Sequence, residues 1–176
     1  MSSQKPNSDR SHTVAVLVDN EPGVLARVIG LFAGRGYNIE SLTVSEVDAV
    51  KGYSRITIVT SGTDMVIEQI KALLDRLVPV HMVEDLTVQG PCLERELALV
   101  KVVNAGENRI EALRIADMFR ARAIDSTLNS FVFELTGSPK KLNAFIELMS
   151  GLGETEITRG GVVAISRGSR IGLQNA

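Results

Sequence analysis

Asp19-Asn20-Glu21-Pro22-Gly23-Val24-Leu25 is the stretch whose residue types and spacing best suit chemistry. That chemistry is binding rather than bond-making. The Asn20 amide both donates and accepts, Gly23 has no side chain to hold a ligand off the backbone, and a helix opening here aims its first N–H groups outward. Open N–H groups and the positive end of a helix favour an anion by about 0.3–1 kcal/mol. For one short turn with a single Asn, the small anion that fits is a carboxylate. The same residues also serve a purely architectural end: Asn20 as an N-cap, Pro22 at the first helical position and Gly23 as relief in a tight turn.

The elements that must position this corner follow from periodicity. Residues 13–18 form an apolar run rich in β-branched side chains, too short for an ordinary helix and suited to a buried strand. Val24, Leu25, Val28, Ile29 and Phe32 then recur at helical spacing, which lays one face on a sheet. Gly34 and Gly36 supply a left-handed stop and release a second strand over residues 38–47, where Leu42 and Val44 alternate with polar neighbours. A turn at 48–52 leads into a third strand, 53–60, so a hairpin is expected. Ser61 to Asp64 cap a second helix carrying Ile67, Ile70, Leu74 and Leu77, and residues 80–88 give a fourth strand. Strand, helix, strand, strand, helix, strand is the order of a ferredoxin-like sandwich, an α+β fold with both helices on one face of an antiparallel sheet.

Gln89-Gly90-Pro91-Cys92 interrupts the pattern, and then the order starts again. Strand-like residues 97–103, a helix over 110–121, short strands at 124–128 and 131–136, a helix around Leu142, Phe145, Ile146 and Met149, and a last strand or bent pair over 157–165 make a second unit of the same kind. The expected organisation is a loose tail at 1–12, a first domain at 13–88, a linker at 89–93, a second domain at 94–168 and a tail at 169–176.

Composition excludes several classes of function. A hydrophobic content of 44% with mean hydropathy +0.13 over 176 residues implies a real core, but no stretch approaches the ~20 apolar residues of a membrane span. With no Trp, 5 Phe and 2 Tyr there are few rings to stack on bases, and a net charge of −2 offers no general attraction to nucleic acid. The lone Cys92 cannot form an internal disulfide, which suits a reducing cytoplasm. His12 and His81 stand apart from any metal-spaced set, and neither a P-loop nor a dinucleotide fingerprint is present. No carboxylates sit in an acid/base pattern. Arg109, Arg114, Arg120 and Arg122 cluster on or beside one helix, a pattern that usually marks a solvated face.

Asn20-Glu21-Pro22-Gly23-Val24-Leu25 after a strand resembles the ligand corner of ACT domains, which bind amino acids as allosteric effectors. The likeness sharpens downstream. Arg27-Val28-Ile29-Gly30-Leu31-Phe32 and Arg35-Gly36-Tyr37-Asn38-Ile39-Glu40-Ser41-Leu42-Thr43-Val44 are similar to the small regulatory subunit of acetohydroxyacid synthase, also called acetolactate synthase. Glu94-Arg95-Glu96-Leu97 and Gly161-Val162-Val163-Ala164-Ile165-Ser166-Arg167-Gly168 extend it over nearly all of residues 13–168.

The resemblance implies an N-terminal ACT domain, a C-terminal ferredoxin-like domain, a homodimer formed through the ACT domains, and a large catalytic partner that uses thiamine diphosphate, Mg²⁺ and FAD. This chain would bind none of those cofactors and catalyse nothing itself. It implies valine or a related amino acid between two ACT domains, with Asn20 and Gly23 from one chain and Asn38 from the other. The expected effector-binding set is therefore Asn20, Glu21, Pro22, Gly23, Val24, Leu25, Asn38 and Ile39. A free-standing amino-acid sensor acting on another enzyme or on transcription is the alternative; the lack of a basic recognition helix counts against the transcriptional form.

Overall fold

The computed structural model describes residues 9–103, 107–169 and 171–172. They divide into two compact units, one holding the described residues up to Leu93 together with those from Ala164 onward, the other Glu94–Val163.

In the first unit the elements are β1 (Arg10–Asp19), α1 (Val24–Arg35), β2 (Ser41–Asp48), β3 (Tyr53–Gly62), α2 (Asp64–Asp75) and β4 (Val80–Asp85). They build an antiparallel sheet in the order β2-β3-β1-β4, which makes β2 and β4 its edges. Alternation along β1 turns Val14, Val16 and Val18 toward Val24, Val28 and Phe32 of α1 and Ile67, Ile70 and Leu74 of α2, forming one aliphatic core. Leu25 and Ile29, expected in that core, each remain 37% exposed on the flank of α1.

Local chemistry accounts for the helix ends. Gly36 ends α1 at φ 69°, donating to the carbonyls of Phe32 and Ala33 as a left-handed cap does. Thr63 caps α2 by accepting from the Val66 N–H, and Ser138 caps the helix Pro139–Ser150 of the second unit by accepting from the Lys141 N–H.

In the second unit β5 (Cys92–Val103), α3 (Glu107–Phe119), β6 (Arg122–Ser126), β7 (Ser130–Gly137), α4 (Pro139–Ser150) and β8 (Glu154–Arg159) repeat the plan, with sheet order β6-β7-β5-β8. Its core sets Val100, Val102, Phe131 and Phe133 against Ala112, Ile115, Phe145 and Met149. β9 (Val163–Ser166) pairs with β5.

Several expected boundaries shift. β1 begins at Arg10, inside the stretch expected to be a loose tail, and His12 is buried opposite Thr60; the rest of that expected tail, 1–8, lies outside the described residues. β1 lengthens because it pairs all along the ten residues of β3, and polar His12 hides this in the apolar pattern. The expected linker is partly strand, since β5 starts at Cys92. Residues from Ala164 on belong with the first unit rather than closing the second. Of the expected C-terminal tail, residues 170 and 173–176 lie outside the described residues.

Candidate effector site

β1 delivers the corner, and two backbone bonds fix where it ends. The Asp19 N–H donates to the Pro79 carbonyl at 2.9 Å, and the Asn20 N–H donates to the Gly52 carbonyl at 2.7 Å. Each ties the strand end to a neighbouring turn. The helix starts later than its sequence suggests. Gly23, not Asn20, is the N-cap, at φ 86° and with no side-chain cap, so Pro22 lies outside the helix. This left-handed turn is one that glycine adopts freely and other residues enter at a cost of about 1–2 kcal/mol. Around Gly23 the space a Cβ would occupy is empty to 4 Å. Freed from capping, the Asn20 amide instead donates through Nδ2 to Glu46 Oε1 of β2 at 3.1 Å, in the open.

Beside the corner, His81 Nε2 lies 2.6 Å from Asp19 Oδ1, and the His81 ring packs 4.5 Å from that of Tyr53. Lys51 Nζ sits 5.7 Å from the Tyr53 ring centre. The two histidines are therefore not solitary: His12 Nδ1 likewise lies 2.8 Å from buried Asp85 Oδ2.

The structure gathers some expected site residues and separates others. Asn20, Glu21, Pro22 and Gly23 form one exposed surface, Leu25 flanks it, and Val24 is buried in the core beneath. Asn38 and Ile39 precede β2, which starts only at Ser41. The Asn38 carbonyl accepts from Thr60 Oγ1 at 2.6 Å, and Ile39 packs on the core. Asn20 thus reaches β2 at Glu46, whose register partner on β3 is Ser54, whereas Asn38 is tied to Thr60. Six residues of extended strand separate those points, about 20 Å at 3.4 Å per residue. A free amino acid is far too short to touch both in one chain.

Glu46 was not legible as a site residue. A polar residue on a half-wet strand carries no mark of its partner, and only the β2–β3 register brings it to Asn20. The pairing of Asp19 with His81 is hidden in the sequence for the same reason, the two being 62 residues apart.

Elsewhere the arginine cluster is largely accounted for. Arg114 lies 3.5 Å from Glu111, Arg122 bonds Glu134 at 2.7 Å, and the Arg109 guanidinium stacks 4.1 Å from the Phe131 ring centre. Among the described residues no three His, Cys, Asp or Glu side chains are arranged to hold a metal ion. No described helix is long and apolar enough to cross a membrane.

The arrangement offers hydrogen-bond donors, an open glycine turn and an exposed edge strand, and so suits reversible capture of a small carboxylate. Comparison with known proteins bears on the family of the chain. Residues 14–82 match the "AHAS small subunit-like ACT domain", and residues 95–168 match the "small subunit of acetolactate synthase". A probable acetolactate synthase small subunit of Archaeoglobus fulgidus is 46% identical over 159 residues, 90% of this chain and 98% of that protein. The acetolactate synthase isozyme 3 small subunit of Escherichia coli is 45% identical over 90% of this chain and 96% of its own length. The crystal structure of the acetolactate synthase small subunit from Thermotoga maritima superposes with TM-score 0.82 at 39% identity, covering 92% of this chain and 99% of that one. Since the two matched models span both units and these relatives align over nearly their whole lengths, the chain belongs to the acetolactate synthase small-subunit family.

Proposed function

We propose that this chain is a regulatory subunit of acetolactate synthase which activates a large catalytic subunit and confers feedback inhibition by valine in the synthesis of valine, leucine and isoleucine. It works in the cytoplasm and performs no catalysis of its own. Thiamine diphosphate, Mg²⁺ and FAD belong to the catalytic partner.

The observation that carries this reading is the separation of Asn20 and Asn38 along β3, combined with the position of β2 at the sheet edge. An edge strand presents unpaired N–H and C=O groups, and a two-fold copy of the same strand can satisfy them. Antiparallel pairing of β2 with its copy sets Ser41 of one chain opposite the Asp48 end of the other. The Asn38 amide then comes toward the partner's Asn20–Gly23 corner instead of staying about 20 Å from its own. Val44 and Val47 on β2, at 44% and 42% exposed, and half-exposed Leu25 and Ile29 on α1 offer apolar surface for that contact and for a branched aliphatic side chain.

The test is pyruvate condensation by a purified catalytic subunit, with and without this chain, under valine titration. The chain raises activity, valine reverses much of the gain, and the chain alone forms no acetolactate. Acetolactate made by this chain alone, or activity indifferent to its addition, overturns the reading.

A further inference from the structure

The face of the first sheet that points away from α1 and α2 is covered by the chain's own C-terminal segment. Ala15 and Leu17 of β1 are buried there in a small cluster with Leu86 and Ala164, against which Tyr53, Met82 and Cys92 pack. Two hydrogen bonds hold the segment down. Arg55 Nη2 donates to the Ala164 carbonyl at 2.7 Å, and the Arg167 N–H donates to the Pro91 carbonyl at 3.0 Å. Buried Glu84 lines the same face, and a Cβ at Gly172 would come within 2.7 Å of its Oε2, so the segment still hugs the sheet there. Burial pulls the Arg55 guanidinium below its ordinary pKa range, opposed by the nearby charge of Glu84. Spending a desolvated cation on a single backbone carbonyl is costly unless position matters.

Arg55 also lies beside the effector corner in register. It pairs with Leu17 on β1 and Ser45 on β2, one step from the Ser54–Glu46 pair whose carboxylate accepts from Asn20. Ala164, which it holds, directly follows Val163, the last residue of the second unit.

We propose that Arg55 is a positioning residue that clamps the segment leaving the second unit onto the effector-carrying sheet, so that ligand binding at the corner is transmitted along the chain through Ala164. This rests on the reading of the corner as an effector site. An effector that shifts β2 against β3 moves the strand carrying Arg55, and the clamp passes that shift to residues 164–167.

The experiment uses the full chain as Arg55→Met and Arg55→Lys, with three readouts: amide hydrogen exchange of residues 164–167, valine binding by calorimetry, and valine inhibition of the complex with the catalytic subunit. In Arg55→Met, exchange at 164–167 rises by about tenfold or more. Valine affinity of the small subunit stays within about twofold, while the valine needed to inhibit the complex rises by about five- to tenfold. Arg55→Lys, which keeps the charge and one donor, recovers part of the inhibition. If Arg55→Met does not fold, the Lys variant carries the same comparison, with smaller changes in the same direction. Exchange at the wild-type rate, or wild-type inhibition despite faster exchange, overturns the clamp while leaving the effector site intact. A wild-type chain that neither binds valine nor confers inhibition refutes the effector reading itself, and the clamp's role with it.

Discussion

At the corner, Glu46 would compete with the proposed effector. Its Oε1 accepts the Asn20 amide that a bound carboxylate would claim, and its own charge repels that carboxylate across a short distance. Replacing it frees a donor and removes a like charge, each worth up to about 1 kcal/mol at an exposed site. Glu46→Ala is therefore expected to tighten valine binding by about three- to tenfold in calorimetry, and unchanged or weaker binding would show that the Asn20 amide does not contact the ligand. Gly23 separates charge from backbone strain. Its φ of 86° taxes any side chain, but Asn and Asp tolerate that conformation best and resemble each other in shape. Gly23→Asp should abolish the valine response while Gly23→Asn keeps most of it, with both variants melting alike. Equal loss in both would assign the effect to backbone or bulk. The glycine was legible in the sequence because a tight turn before a helix calls for it. The capping role of Asn20 was misread because Pro22 and Gly23 offered two competing starts for the helix, and only backbone geometry decides between them.

Among the elements, β2 carries the proposed association and β5–β8 carries a stability risk. β2 is an edge, and its Asn38 approach and its Glu46 contact lie at opposite ends; in the proposed dimer each half of the site would come from a different chain. Asn20→Ala chains and Asn38→Ala chains, each deficient alone, should on mixing regain some valine binding through heterodimers with one intact site. Failure of verified mixed dimers to bind would place the whole site within one chain. In the second unit, Arg159 of β8 donates through Nε and Nη2 to both oxygens of Glu96 on β5, at 2.8 and 2.5 Å. Glu96 is 5% exposed and Arg159 35%. This bidentate contact raises the Arg159 pKa, so its contribution is complete below the ordinary guanidinium range and fades only as pH climbs through the raised value. Arg159→Met strands a buried carboxylate and should cost about 2–4 kcal/mol, the discount reflecting the partly exposed arginine. Arg159→Met combined with Glu96→Leu should recover much of that loss in thermal melts; a double variant no more stable than the single one would mean that packing, not the unpaired charge, sets the cost. Element order was readable from periodicity in both units, since amphipathic helices and alternating strands announce themselves in consecutive residues. Strand ends were not: His12 lies in β1 and Asn38 outside β2 because pairing partners distant in sequence decide how far a strand runs.

For the molecule as a whole, the consequence is that its two units are unequal in what each needs from the chain. The first is completed by residues from Ala164 on, which close over Ala15 and Leu17. That dependence was invisible in sequence, where the residues around Ala164 read as the final strand of the second unit. Cutting the chain after Gln89 therefore removes more than the second unit: it uncovers the apolar rear of β1 and takes away the carbonyl that Arg55 holds. At about 25 cal/mol per Å² of apolar surface returned to water, the uncovered cluster costs on the order of 1–3 kcal/mol, which a small sandwich feels as several degrees of melting temperature. The proposed effector corner is built from β1, α1 and the turns at Gly52 and Pro79, all retained. A fragment of residues 1–89 should therefore still dimerise and bind valine, melt below the full chain, and regulate the catalytic subunit incompletely. Adding back residues 164–169 after a short flexible linker should restore melting temperature more than regulation, because cover returns while the second unit does not. Full activation and full valine sensitivity from the bare fragment would show that the second unit has no part in the response, and a fragment melting with the full chain would show that the segment's cover contributes nothing to stability.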